Sequence, residues 1–70
     1  MENNINFAEA LSKIRIENNL TQSKLSELTG INQQNISRWE SGQNIPNIEE
    51  CVKLANFFGV SLDELVGRVI

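Results

Sequence analysis

The chain has 70 residues, one cysteine, no histidine, and six basic against nine acidic side chains, for a formal charge of -3. A chain of this length is one domain at most and buries only about 60% of the surface its unfolded form exposes, so its stability is modest. With no histidine and a single thiol, a disulfide, a structural zinc site and a Cys–His or Ser–His catalytic pair are all excluded.

Helix signals follow one another with no room for strands, and the chain reads as all-α. Asn6 stands three residues before Glu9, the spacing of an N-cap and an acid in a capping box. It opens a first helix over about 6–18, with Phe7, Ala10, Leu11 and Ile14 on one face, and the pair Asn18-Asn19 turns the chain. Thr21 caps a second helix over 21–29, which offers chiefly Leu25 to the core with the small Ser26 beside it. Gly30 ends it, because glycine takes the left-handed conformation without steric cost. Asn32 caps a third, over about 32–41, which turns Ile36 and Trp39 inward and stops at Gly42. Asn47 with Glu50 opens a fourth over 47–58, with Ile48, Cys51, Leu54, Ala55 and Phe58 inward and Gly59 at its end. Ser61 with Glu64 opens a fifth, over about 61–66, which contributes Leu62 and Leu65.

The start lacks the basic and apolar regions of a signal peptide, and no apolar run approaches the roughly 18 residues of a membrane span. A soluble cytoplasmic protein is expected, with Cys51 serving as a small buried hydrophobe in a reducing compartment. Glu49 and Glu50 are adjacent on a helix and Glu50 has a capping role, so they are not a catalytic pair. With no nucleophile beside a base, no phosphate loop and no metal-ligand cluster, no enzyme and no cofactor are expected. The negative charge speaks against nucleic acid, but it lies toward the end of the chain. The stretch 19–47 is neutral, with Lys24 and Arg38 against Glu27 and Glu40.

That stretch contains two short helices joined by a tight turn at Gly30, a geometry that sets the helices steeply and lets the second protrude. Its outer face carries Gln33, Gln34, Ser37 and Arg38 in place of the usual Glu/Lys mixture. Glutamine can pair with adenine and arginine with guanine in the major groove, which a helix is the right width to enter.

Leu25, Ser26, Gly30, Ile31, Ile36 and Trp39, set between "TQSKLSELTG" and "ISRWESG", resemble the helix-turn-helix of the phage repressor and Cro type, the xenobiotic-response-element family. The resemblance continues through "IPNIEECVKLANFFGVSLDEL" and covers nearly the whole chain, 1–70, as a single five-helix, lambda-repressor-like DNA-binding domain. It implies a transcriptional regulator that binds double-stranded DNA as a homodimer on a palindromic operator. It also implies base reading by Gln33, Gln34, Ser37 and Arg38. Contacts to the sugar-phosphate backbone would come from Gln22, Asn35, Ser41, Gly42 and Gln43, through amides and main-chain N–H groups. Arg15 and Glu40 match an internal ion pair of that family. The dimer surface is expected at the chain end, in Leu62, Leu65, Val66, Val69 and Ile70, with Phe57 beside them. Four positions depart from the family pattern. Ser26 replaces the usual alanine and needs a hydroxyl partner such as a carbonyl one turn back, Trp39 replaces an aliphatic residue, and Gln43 and Asn44 replace basic ones. The alternative is an antitoxin-like or antirepressor-like protein-interaction module that kept the fold with weak or no DNA binding.

Overall fold

The computed structural model of the protein describes residues 6–67. Five helices follow in order: α1 (Phe7–Glu17), α2 (Gln22–Thr29), α3 (Gln33–Glu40), α4 (Ile48–Phe58) and α5 (Leu62–Val66), with no strand among the described residues. Each starts where a local side-chain acceptor is available. Thr21 accepts from the Lys24 N–H, Asn32 from Gln34, Asn47 from Glu50 and Ser61 from Glu64. The boxes of α4 and α5 are complete, because Glu50 and Glu64 also accept from the main-chain N–H groups of Asn47 and Ser61 at 3.0 Å each. In α1 the box is altered. The Asn6 N–H donates instead to the Val66 carbonyl at 3.0 Å, which ties the start of α1 to the end of α5. Glu9 therefore accepts from the Asn6 side-chain amide, also at 3.0 Å.

The core is built from Phe7, Leu11, Leu25, Ile31, Ile36, Trp39, Cys51, Leu54, Ala55 and Leu65. α1 packs on α3 and α5, while α2 packs on α3 and α4. Phe7 meets Trp39 edge to face at 6.2 Å, which seats the indole under α1 and accounts for a large aromatic at this position of α3. Each fully buried aliphatic side chain contributes about 1.5–3 kcal/mol. Burial pushes the Cys51 thiol up from its ordinary value, with the charge of Glu50 adding to the shift, so the cysteine packs as a neutral group.

Two residues expected inward are not. Ile48 is 69% exposed, since the inward register of α4 is taken by Cys51, Leu54 and Ala55 and the first position falls outside it. Leu62 is 41% exposed, because a helix of five residues presents one side chain to the core, and that is Leu65.

Gly67 closes α5 at φ 69° against the start of α1, where a Cβ would stand 2.8 Å from the Asn6 carbonyl oxygen and 3.0 Å from the Ala10 Cβ. Gly59 closes α4 at nearly the same φ, 70°, but a Cβ there meets nothing within 4 Å. Gly59→Ala should cost about 1 kcal/mol from the left-handed backbone alone. Gly67→Ala should cost at least about twice that, because it must also part α1 from α5. Thermal unfolding of both variants measures the difference, and equal losses would show that the contact at Gly67 adds nothing.

Candidate nucleic-acid interface

The turn between α2 and α3 is held by hydroxyls. Gly30 reverses the chain at φ 77°, and its N–H donates to the Ser26 carbonyl at 2.8 Å. Ile31 is buried, and both of its main-chain groups are taken by side chains of α2. Its N–H donates to Thr29 Oγ1 at 3.2 Å, and its carbonyl accepts from the Ser26 hydroxyl. Ser26 thus reaches forward across the turn and not to a carbonyl one turn back, because the reversal at Gly30 brings the Ile31 carbonyl over it. The backward bond belongs to Thr29, whose hydroxyl donates to the Leu25 carbonyl at 2.7 Å.

With 3.6 residues per turn, Ile36 and Trp39 occupy the inner face of α3, while Gln33, Gln34, Ser37 and Arg38 form an exposed outer face. Asn35 and Glu40 fall on the two borders between these faces. Glu40 turns toward α1 and α2. Its carboxylate accepts from Arg15 Nε at 2.7 Å and from a terminal guanidinium nitrogen at 3.0 Å, and the other terminal nitrogen donates to the Leu20 carbonyl at 2.7 Å. The pair is largely enclosed, with side chains 14% and 7% exposed. Hydrogen bonding to Glu40 raises the Arg15 guanidinium above its ordinary value against the opposing effect of burial, so it stays charged. Gln22 joins the pair, its Nε2 donating to Glu40 at 3.1 Å. One side of α2 is thereby fixed to the end of α3. Between the two helices runs an open groove lined by Gln22, Ser26, Asn32, Gln33, Gln34 and Ser37, all uncharged.

Asn35, on the other border, is half-buried and shares a shallow depression with Asn32, Glu49, Glu50 and Lys53. It is not brought together with the other expected backbone-contacting residues. At the end of α3 the main-chain N–H groups expected to face sugar-phosphate are engaged in closing the helix. Ser41, Gly42 and Gln43 donate to the carbonyls of Ser37, Trp39 and Arg38 at 3.0, 3.2 and 2.9 Å. The Ser41 hydroxyl also donates to Arg38, at 3.0 Å. What this end offers outward is the side chains, above all the exposed Gln43 amide.

Residues 11–65 match the family model described as helix-turn-helix. The chain belongs to that family. Over 60 residues it is 42% identical to the transcriptional activator BcrR of Enterococcus faecalis and 37% identical to RstR, the transcriptional repressor of the cryptic phage CTXphi in Vibrio cholerae. Those alignments cover 86% of this chain but only 29% and 54% of the two relatives. A transcriptional regulator from Listeria innocua has the same fold, with a TM-score of 0.83 and 36% identity over 94% of this chain and 62% of the other. The family is one of transcription regulators and not of enzymes, and one relative named as an activator beside another named as a repressor shows that the fold serves either outcome.

In this helix-turn-helix protein the surface expected to dimerise is divided. Leu65 is fully buried in its own core and is not offered to a partner as expected, whereas Val66 is half-buried against that core and keeps part of its surface open. A one-turn helix docked by Asn6 and Gly67 directs Leu65 inward. Val69 and Ile70 lie outside the described residues. Leu62 is exposed, as is Phe57 at 39%, which packs edge to face on Phe58 at 5.0 Å. Ile45, Ile48 and Val52 are also exposed, at 77%, 69% and 42%. Among the described residues no helix is long and apolar enough to cross a membrane, and no group of three His, Cys, Asp or Glu is placed to hold a metal ion.

Proposed function

We propose that this protein is a cytoplasmic transcriptional regulator that reads operator DNA by placing α3 in the major groove. The observation that carries the reading is the outer face of α3, where amides, a hydroxyl and a guanidinium stand exposed on a helix whose other face is core. Gln33 and Gln34 approach adenine-containing pairs, Arg38 reaches guanine one turn on, and Ser37 assists. Gln22 and Gln43 hold the phosphates through neutral hydrogen bonds, helped by the open first N–H groups of α2 and α3. Such contacts release few counterions. The slope of log affinity on log salt, about -0.9 per phosphate neutralised, is therefore shallower than for basic relatives of the same fold.

A two-fold dimer sets two copies of α3 about 34 Å apart, one turn of DNA, on a palindromic site. Leu62 and Phe57 supply the contact. In sedimentation the parent should be dimeric at high micromolar concentration or on DNA, and the variant carrying Leu62→Asp and Phe57→Asp should be monomeric and bind more weakly. Monomer alone under all conditions, with and without DNA, contradicts the dimer.

The exposed Ile45, Ile48 and Val52 favour the second reading, a protein-interaction module. Selection of bound sites from random DNA at low salt separates the two. A regulator returns a symmetric consensus, and an interaction module returns none.

A further inference from the structure

We propose that Ser26 and Thr29 are positioning residues that clamp Ile31 and so set how α3 lies on DNA. This rests on the reading of α3 as the base-reading helix. Ile31 is the one residue between Gly30, which ends α2, and Asn32, which caps α3, so its backbone angles fix the direction in which α3 leaves the turn. Both of its main-chain groups lie where no helix or strand partner reaches them. Thr29 takes the N–H and anchors itself on the Leu25 carbonyl, while Ser26 takes the carbonyl. The two hydroxyls stand three positions apart on α2, so the clamp is built on a single helical turn.

The leverage is large for so small a device. α3 has eight residues and is therefore about 12 Å long, and a swing of roughly 10° at the turn moves its far end by about 2 Å. That displacement breaks a base contact at Arg38, whose hydrogen bonds tolerate only a few tenths of an ångström. Ser26 also lines the groove with Gln22, Gln33, Gln34 and Ser37, so the clamp sits directly behind the side chains that would touch DNA.

The test uses Thr29→Val, which keeps the shape and removes the hydroxyl, with Thr29→Ser as the variant that restores it, and Ser26→Ala. Amide hydrogen exchange of Ile31 is read by NMR on the free, folded proteins. It should quicken about tenfold in Thr29→Val relative to core amides of α4, the size of one net hydrogen bond, and return in Thr29→Ser. On DNA, the affinity ratio between the selected site and a random duplex should fall about tenfold in Thr29→Val and Ser26→Ala, with the salt slope unchanged and Thr29→Ser like the parent. Unchanged Ile31 exchange overturns the clamp. Faster exchange with undiminished discrimination overturns its role on DNA. A parent without site preference overturns the reading beneath it, and the exchange rates, measured without DNA, tell that failure from failure of the clamp.

Discussion

Glu40→Gln should lower stability by about 3 kcal/mol, because it leaves the Arg15 guanidinium enclosed without its countercharge. The side chains are 14% and 7% exposed, too little for water to replace the lost partner. An exposed pair such as Lys24 and Glu27, at 3.5 Å with both side chains more than half exposed, contributes at most about 1 kcal/mol. A 70-residue domain has about 4–10 kcal/mol in total, at 0.05–0.15 kcal/mol per residue, so the substitution removes a large part of it. The melting temperature falls by at least about 10 °C. Arg15→Met is as damaging, since it leaves Glu40 with only the Gln22 amide and frees the Leu20 carbonyl. The double variant Arg15→Met with Glu40→Met removes both charges and is more stable than either single one. A double-mutant cycle by thermal or urea unfolding measures this, and additive losses would show that the two residues act independently.

Arg38→Ala and Gln34→Ala each cost about 1–3 kcal/mol on the cognate site, roughly 5- to 150-fold in affinity, and relax the preference at one or two base positions. Neither changes stability appreciably, because both side chains are exposed on α3 and neither has a side-chain partner among the described residues. Gln22→Ala behaves differently. Its amide holds Glu40 as well as facing the groove, so the loss is the same on every sequence and is accompanied by a small loss of stability. Competition with random duplex separates these outcomes. Equal losses on cognate and random DNA for all three variants would make α3 a backbone clamp without base reading.

The positions of the helices were legible because capping is local. Asn6, Thr21, Asn32, Asn47 and Ser61 each hold an N–H two or three residues on, a spacing visible in any single sequence. The Arg15–Glu40 pair came through family resemblance, and nothing in the spacing of residues 25 apart announces it. What depends on the path between helices was not legible. Ser26 was assigned a partner behind it, while the left-handed Gly30 places the Ile31 carbonyl ahead. The two hydroxyls at Ser26 and Thr29, three apart on the inner side of a helix that ends at glycine, were the available signal for the clamp. Helical periodicity puts Ile48, Leu62 and Leu65 on inward faces, and only Leu65 is buried there, while the expected dimer surface wrongly claimed Leu65 as well. Periodicity describes a face but not how far a neighbouring helix covers it, and here the cover ends at Cys51 in α4 and reaches only Leu65 in α5.

The central claim, that α3 meets DNA through its outer face, is tested most directly by NMR titration of the protein with a duplex carrying its selected site. The predicted result is that side-chain amides of Gln22, Gln33, Gln34 and Gln43 and the main-chain signals of Ser37 and Arg38 shift most, while α1 residues facing α5, such as Glu9 and Lys13, stay in place. Shifts confined to Ile45, Ile48 and Val52, or none at duplex concentrations in the high micromolar range, would contradict it.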